Sequence, residues 1–293
     1  MTTMRTSPHT AVHDARRQLG LPTGEVIPLR NHATDVYLLP DQHIVARVRP
    51  LARADETIQT WALLRWLHDH GFPAAQPVGE PVQEPESGYI VTFWVHYPQP
   101  PAPPPASALG ALLRELHALP DPPVKLPDYQ PLVNLTDTLA RSTTLTESRR
   151  RWLAAAAEET VHAYRSLGPS PLGHGLIHGD AYPGNTLWDD GLVRLGDWDE
   201  AATGPRELDL ANTIQGAHRF GRSEQEINAF TRAYSHDPRT WPGLQILIGM
   251  RDLHTLGSFI RRADRGDTQA ALELDHRLHT LQTGRRTVRW GIH

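Results

Sequence analysis

The side chains best suited to chemistry lie in one short segment that begins at Asp180. Asn185 follows after four intervening residues, and Asp197 comes twelve residues later. Mg²⁺ needs few protein oxygens, such as those of one Asn and one Asp, and keeps its other positions for phosphate and water. A carboxylate that binds no metal can accept or orient the proton of an incoming hydroxyl. These residue types indicate magnesium-assisted phosphoryl transfer, with Asp180 as the catalytic residue and Asn185 and Asp197 as metal ligands.

The residues between the two candidate ligands predict a β-hairpin. Residues 186–188 are typical of a short strand, Asp190-Gly191 of a tight turn, and residues 192–195 of the returning strand. Asn185 and Asp197 lie almost symmetrically about this turn, so we expect them to meet at its open end. The alternative is a surface hairpin with ordinary polar flanks, because Asp, Asn and Gly are common turn residues. Each half of the pattern alone favours that alternative, whereas both halves together favour the phosphoryl-transfer site.

The composition limits the classes of protein that the chain can form. Its 293 residues are enough for one large domain or two lobes with substantial cores. The net charge of −4 shows no nucleic-acid footprint, and no apolar stretch approaches the roughly 20 residues of a membrane span. The absence of cysteine excludes disulfides and a thiolate nucleophile, and residues 1–17 lack the apolar region of a signal peptide. We therefore expect a cytoplasmic protein without nucleic-acid or membrane partners; its oligomeric state stays open.

Strand patterns dominate the first third of the chain. Residues 25–29, 35–39 and 43–48 predict three strands separated by polar loops. A helix is predicted over residues 54–70, where Gly71 ends it, and a further strand over residues 88–95. This order predicts a compact, β-rich lobe.

The rest of the chain is predicted to be mostly helical. Residues 97–105 are rich in proline and favour polyproline II, either as a stiff surface loop or as a ligand for a proline-binding module. The predicted helices cover 108–119, a segment from the capping box Thr144-x-x-Glu147 to about 167, a segment opened by the capping box Ser223-x-x-Glu226, the apolar segment 244–260, and 268–281. Because strands and helices are segregated, we predict an α+β fold with lobes at residues 1–96 and 97–293.

The segment His178-Gly179-Asp180-x4-Asn185 resembles the catalytic loop of the aminoglycoside phosphotransferase family, which is similar to the protein kinases in fold. Protein kinases have Arg at the position of Gly179, and they open the metal-binding motif Asp-Phe-Gly where this chain has Asp197-Trp198. Both replacements are typical of the antibiotic and choline kinase branch. Residues 204–210 are similar to the Gly-x-Pro-x-x-Asp-Leu segment of the family. The resemblance spans about residues 20–280 and implies a two-lobed, protein-kinase-like fold with a small β-rich N-lobe and a larger, mostly helical C-lobe.

The resemblance also implies roles for individual residues outside the catalytic loop. Asp209 would anchor that loop, although it is also typical of an acid at the start of a helix. A loop between the first two strands would cover the nucleotide phosphates, a cation on the third strand would pair with them, and hinge backbone would meet the base. The implied nucleotide-binding residues are Asn31, His32, Thr34, Arg47, Phe93 and Val95. The loop lacks glycine, Arg47 replaces the usual Lys, and no Walker A motif is present, so a P-loop NTPase is not indicated.

Two smaller questions stay open in the sequence. The helix acid that should fix Arg47 is absent, because Thr60 takes its position; Glu56, one turn earlier, either pairs with Arg47 or is an ordinary first-turn acid. His174 and His178 are four residues apart, a spacing that binds zinc on a helix. Neighbouring glycines argue against a helix there, so a metallohydrolase is a distant alternative, and we expect His178 to shape the loop instead.

The function implied by the resemblance is an ATP- (or GTP-) and Mg²⁺-dependent kinase that phosphorylates a hydroxyl of a small molecule, for example an antibiotic such as an aminoglycoside. A metabolite kinase of the choline, homoserine or sugar type fits the same motifs, and a pseudokinase-like nucleotide-binding protein is the rival class. A polycationic aminoglycoside would need an acidic pocket, whereas the chain beyond Trp241 is rich in arginine. The acids that could supply local acidity are Asp199, Glu200, Glu207 and Asp264.

Overall fold

The computed structural model describes residues 7–31 and 34–291, without the side chains of Arg30 and Asn31. The chain divides into two compact units, neither of which is one continuous stretch. The first unit contains Met1–Pro104, Leu119–Leu126 and Gly184–Ala201, and the second contains Pro105–Ala118, Pro127–Pro183 and Ala202–His293. The hairpin after Asn185 therefore belongs to the first unit, whereas Asp180 belongs to the second. The division into residues 1–96 and 97–293 stays a prediction.

The elements of the described residues are numbered in chain order. The strands are β1 (Ile27–Asn31), β2 (Asp35–Leu39), β3 (Ile44–Pro50), β4 (Pro77–Glu84), β5 (Tyr89–Val95), β6 (His174–Ile177), β7 (Thr186–Asp189), β8 (Leu192–Leu195) and β9 (Ala202–Pro205). The helices are α1 (Pro8–Gln18), α2 (Ala54–Asp69), α3 (Ala106–Ala118), α4 (Val133–Arg141), α5 (Glu147–Arg165), α6 (Glu207–Arg219), α7 (Glu224–Tyr234), α8 (Gly243–His254), α9 (Leu256–Asp264) and α10 (Thr268–Gln282).

A five-stranded antiparallel sheet forms the centre of the first unit, in the order β1-β2-β3-β5-β4. The strands predicted over residues 25–29, 35–39, 43–48 and 88–95 are all present within a few residues. The prediction missed β4, because Pro77, Gly79 and Pro81 are poor strand residues. The strand lies at the sheet edge and its register shifts between Val78 and Val82, which is where proline is tolerated.

Two helices complete the first unit. The predicted helix at 54–70 is confirmed as α2, while α1 was not predicted. Ser7 caps α1, and Ala11, Val12 and Ala15 pack into a core that includes Phe93 of β5. The helix was not predicted because its sequence is polar and rich in histidine. The apolar contact with the sheet stabilises it.

The second unit is mostly helical, with a short antiparallel ladder between β6 and β9. The predicted capping box at Ser223 and Glu226 is confirmed at the start of α7. The capping box predicted at Thr144 is wrong: α5 begins at Glu147, and the side chain of Thr146 caps it. Thr144 is unavailable because its backbone N–H and hydroxyl donate to Asp264 at 2.9 and 2.6 Å.

None of the helices in the described part of the chain is long and apolar enough to cross a membrane.

Candidate active site

A buried carboxylate holds the backbone of residues 178–180, the candidate catalytic segment, in the second unit. Asp209, in the first turn of α6, is fully buried and accepts hydrogen bonds from the N–H groups of His178 at 2.7 Å and Gly179 at 2.9 Å. His117 of α3 contacts the same carboxylate at 3.1 Å. Gly179 has a φ of 81°, a left-handed conformation that favours glycine. The anchoring role expected of Asp209 is confirmed.

The carboxylate of Asp180 is held from two neighbouring helices. Oδ1 accepts a hydrogen bond from Nη2 of Arg251 in α8 and another, at 3.2 Å, from Nδ2 of Asn212 in α6. Arg251 also donates to the carbonyl oxygen of Gly179 at 3.3 Å. The side chain of Asp180 is 27% exposed and that of Arg251 is 4% exposed. The ion pair is therefore screened little by solvent at the Arg251 end.

This environment determines the charge of Asp180. Burial would raise the pKa of the carboxyl group, but Arg251, His254 and His178 together lower the pKa below its ordinary value. Burial and the charge of Arg251 lower the pKa of His254, which lies beside Asp180. Asp180 is consequently a carboxylate at neutral pH. It can orient a hydroxyl by accepting its hydrogen bond, but it is a weak base.

The predicted hairpin is confirmed in the first unit. β7 and β8 pair from Thr186 with Leu195 to Asp189 with Leu192, and the two-residue turn between them has φ values of 45° at Asp190 and 86° at Gly191. Positive φ at both positions is the signature of a type I′ turn. At the open end, Gly196 donates its N–H to the carbonyl oxygen of Asn185 at 2.8 Å.

Asp197 directly follows this closure of the hairpin. Its backbone is left-handed, with φ 58° and ψ 62°, and a short 3-10 helix (Trp198–Glu200) begins after it. Trp198 is buried, stacks edge-to-face on Phe72 at 5.7 Å and donates its Nε1 hydrogen to the carbonyl of Leu195. The indole thus fixes the turn that presents Asp197. A left-handed conformation is uncommon for a residue with a side chain, and such residues cluster at functional sites.

Arg47 of β3 pairs with two carboxylates of the same segment. Nη2 lies 3.1 Å from Oδ1 of Asp197 and 2.8 Å from Oδ2 of Asp199, and Arg49 reaches Asp199 at 3.3 Å. Burial alone would lower the pKa of Arg47, but Asp199 and Asp197 raise it above its ordinary value. The structure therefore answers the question about Glu56, which pairs with Arg53 at 2.7 Å as a first-turn acid. The acid that holds Arg47 is Asp199, and the sequence interpretation did not identify it. The spacing Asp197-x-Asp199 could have indicated a second acid beside the proposed metal ligand.

The other predicted nucleotide-binding residues are placed as follows. His32 and the side chain of Asn31 lie outside the described residues, while Thr34 is described and partly buried. Phe93 is fully buried opposite Ala46, so its side chain belongs to the core. Val95 donates its N–H to the carbonyl of Gln76 at 2.9 Å. One of the backbone groups expected to bind the nucleotide base is therefore already hydrogen-bonded within the protein. Nucleotide contacts at these positions stay predictions.

The alternative prediction, a zinc site formed by His174 and His178 on one helix, is wrong, because His174 lies in a strand. His174 is exposed and His178 is fully buried, and Nδ1 of His178 accepts the N–H of Asp180 at 3.3 Å, which confirms its role in shaping the loop. No group of three or more His, Asp or Glu side chains among the described residues could hold a metal ion. Asn185 and Asp197 as ligands of Mg²⁺ stay a prediction; the structure brings the backbone of Asn185 to Gly196, the residue before Asp197.

The sequence interpretation did not identify Arg251 of α8 and Asn212 of α6 as partners of Asp180. Arg251 and Asp252 are an adjacent charged pair inside the apolar segment Leu244–Leu253, and both are buried. Buried charges of this kind are rare unless they are paired. The two charged residues within an apolar helix segment could therefore have indicated buried ion pairs. Asn212, one turn after Asp209 on α6, carried no comparable signal.

The acids considered for recognition of a polycation have structural contacts. Asp199 binds Arg47 and Arg49, as described above. Glu207 is fully buried and accepts the N–H of Leu172 at 2.7 Å. Asp264 accepts hydrogen bonds from Ser142, Thr143 and Thr144 through one oxygen, Oδ1.

The family model of the phosphotransferase enzyme family, APH, matches residues 25–247. The chain therefore belongs to this family, and a phosphotransferase is the class that its fold and sequence define. No sequence among the curated proteins matches it.

Solved structures share the fold at low sequence identity. Amicoumacin kinase hAmiN in complex with AMP-PNP and Ca²⁺ has a TM-score of 0.77 and 14% identity, covering 98% of this chain and 96% of that chain. A choline/ethanolamine kinase family protein from Mesorhizobium loti has a TM-score of 0.61 and 16% identity, with coverage of 93% and 94%. The GDP and kanamycin complex of APH(2")-IIia has a TM-score of 0.63 and 16% identity, with coverage of 95% and 100%. These likenesses confirm the α+β, protein-kinase-like fold with a β-rich N-terminal part and a helical C-terminal part.

Proposed function

We propose that this phosphotransferase moves the γ-phosphoryl group of ATP to a hydroxyl of a small molecule, with Mg²⁺ as the metal. The observation that carries the proposal is the anchored catalytic segment, in which Asp209 holds the N–H groups of His178 and Gly179 and the next residue, Asp180, is an ionised carboxylate. A loose phosphoryl-transfer transition state needs a fixed orientation of the attacking hydroxyl more than a strong base. An anchored carboxylate of low pKa meets that requirement.

In the proposed reaction, the carboxylate of Asp180 accepts a hydrogen bond from the acceptor hydroxyl. The acceptor oxygen bonds to the γ-phosphorus of ATP, and the bond from that phosphorus to the bridging oxygen breaks. ADP leaves with the electron pair, and the hydroxyl proton passes to Asp180 as the new P–O bond forms. When bound, Mg²⁺ would neutralise charge on the phosphates, with Asn185 and Asp197 as its protein ligands.

The nucleotide clamp is proposed from the residues of β3. Arg47 is a guanidinium with carboxylate partners in the hairpin segment, and guanidinium groups bind phosphate oxygens in pairs. Transfer of the Asp197 hydrogen bond to phosphate would leave Asp197 for the metal, while Asp199 keeps holding the guanidinium. Relatives that were solved with AMP-PNP and with GDP support use of a nucleoside triphosphate, with ATP as our choice and GTP as the alternative.

The acceptor is proposed to be a hydroxylated small molecule that is not strongly polycationic. Asp199, Glu207 and Asp264 have partners within the protein, and Arg251 and His254 lie beside Asp180. This arrangement supports an antibiotic or metabolite of low positive charge over an aminoglycoside. The solved relatives include an amicoumacin kinase, a choline/ethanolamine kinase family protein and a kanamycin complex of APH(2")-IIia.

An ATP-consumption assay with a panel of hydroxylated antibiotics and metabolites tests the proposal. We expect turnover with at least one acceptor, loss of turnover without Mg²⁺, and a phosphorylated product detectable by mass spectrometry. Absence of transfer to every acceptor, in a protein that binds MgATP, would instead indicate the pseudokinase-like class.

A further inference from the structure

Arg251 contacts the catalytic segment at two points. Its guanidinium donates to the carboxylate of Asp180 through Nη2 and to the carbonyl oxygen of Gly179 through Nη1. We propose that Arg251 is a positioning residue for Asp180, which fixes the carboxylate in the orientation that meets the acceptor hydroxyl. This role rests on the proposed function and deepens it.

The contacts differ from those of an ordinary surface ion pair. The Arg251 side chain is 4% exposed, so little solvent competes for its hydrogen bonds. Asn212 donates to the same oxygen, Oδ1, from a second helix. Two donors that converge on one oxygen from α6 and α8 restrict rotation of the carboxylate, whereas one flexible surface partner would not.

The residue that follows Arg251 anchors the same part of α8. Asp252 accepts hydrogen bonds from Nη2 of Arg219 at 2.6 Å and from Nε2 of Gln215 at 2.7 Å, and all three side chains are buried. Arg219 and Gln215 lie on α6, so this cluster ties α8 to α6. The cluster therefore fixes the part of α8 from which Arg251 reaches Asp180.

Helix α6 also contacts the catalytic segment directly, through Asp209 and Asn212. Asp209 holds the backbone N–H groups of the catalytic segment, and Asn212, one turn later, reaches the carboxylate of Asp180. The pair α6 and α8 thus fixes both the backbone and the functional group of the segment. Such support from a rigid framework is what orientation-dependent catalysis requires.

The charges facing Asp180 give the proposal a specific readout. Burial of the carboxyl raises its pKa, while Arg251 and His254 of α8 and His178 of the catalytic segment lower it, with Arg251 the strongest of these. Arg261 of α9 adds a positive charge that faces His254. Loss of the Arg251 charge would leave the effect of burial less opposed, so the pKa of Asp180 should rise. A merely structural role of Arg251 would not move it.

The test compares Arg251→Gln and Arg251→Lys with the wild type and with the control Arg262→Gln. Arg262 also pairs with an aspartate of the second unit, Asp267, but it belongs to a different ion pair. The pKa of Asp180 is followed by ¹³C NMR of aspartate-labelled protein, with the signal identified by its loss in Asp180→Asn. The parallel readout is kcat and KM with MgATP and the acceptor that the panel identifies, and thermal melting shows whether each variant is folded.

We expect Arg251→Gln to raise the pKa of Asp180 and to lower kcat about a hundredfold, with little change in KM for ATP. Arg251→Lys should keep the pKa low, because the charge remains, yet its kcat should fall between those of the wild type and the Gln variant, because one ammonium cannot make both contacts. A folded Gln variant with the pKa and kcat of the control would overturn the proposal. If the Gln variant does not fold, a Lys variant with the kcat of the control overturns it. If the wild type transfers no phosphoryl group, the proposed function fails, and an unshifted pKa in a folded Gln variant still rejects the role of Arg251.

Discussion

Arg47 donates a hydrogen bond to Asp199 over 2.8 Å, although the two residues are 152 positions apart in the chain. Asp199 takes the place that a helix acid holds in the kinase pattern, since Thr60 occupies that helix position and Glu56 binds Arg53. The cation on β3 is therefore fixed by the segment that also carries Asp197. Cation and proposed metal ligand are linked in one ion-pair cluster within the first unit.

Loss of the Asp199 charge should weaken nucleotide binding. In Asp199→Asn the guanidinium of Arg47 loses a charged partner, and a hydrogen bond to a charged group contributes about 1.5–3 kcal/mol. Both side chains are partly exposed, so we take the lower end and expect the Kd for MgATP to rise about tenfold. Isothermal titration calorimetry measures this, with Glu56→Gln as the matched control that should bind as the wild type does. Equal affinity in the two variants would remove Asp199 from the clamp.

Substitution of Asp197 should abolish the effect of Mg²⁺ on nucleotide affinity. Asp197→Ala removes the carboxylate of the proposed metal site, and Mg²⁺ depends on few protein oxygens in such sites. We expect ATP to bind with the same affinity with and without Mg²⁺ in this variant, by calorimetric titration in both conditions. The control is Asp190→Ala in the turn of the same hairpin, which should keep its Mg²⁺ dependence. A dependence that survives in Asp197→Ala would exclude this residue from the ligand set.

The hairpin was predictable because its signals are local. Asp190-Gly191 with its short flanking strands is enough to specify a two-residue turn, and that turn brings Asn185 to Gly196. The partners of Asp180 were not predictable in this way, since Arg251 lies 71 residues away and meets the carboxylate only through helix packing. Strand β4 was missed for a related reason, because its prolines oppose a strand locally and the edge of the sheet tolerates them.

Removal of the Asp209 carboxylate should destabilise the fold as well as the catalytic segment. Asp209→Ala leaves the buried N–H groups of His178 and Gly179 without their acceptor, and each such group costs about 1–3 kcal/mol. We expect a loss of about 2–6 kcal/mol in the free energy of unfolding, measured by urea denaturation. Asp137→Ala, which removes an exposed pair with Arg141, should stay within about 0.5 kcal/mol of the wild type. A similar small effect for both variants would contradict the anchoring role.

Asp180 should give the stability a dependence on acid pH. Its pKa is lower in the folded protein than in the unfolded chain, so the ionised group stabilises the fold above the unfolded pKa and loses this effect as the pH falls through the folded pKa. The stability difference between wild type and Asp180→Asn should therefore be largest near neutral pH and shrink on acidification. Urea denaturation at several pH values measures it; a difference that grows toward acid would reverse the sign and contradict the ion pair with Arg251.

The most direct test of the account is single-turnover phosphoryl transfer from MgATP to the acceptor by Asp180→Asn. The account predicts that this variant binds MgATP with the affinity of the wild type and transfers the phosphoryl group at least about a hundredfold more slowly, because the carboxamide cannot accept the hydroxyl proton. Transfer at the wild-type rate would contradict the assignment of Asp180 and, with it, the proposed chemistry of this segment.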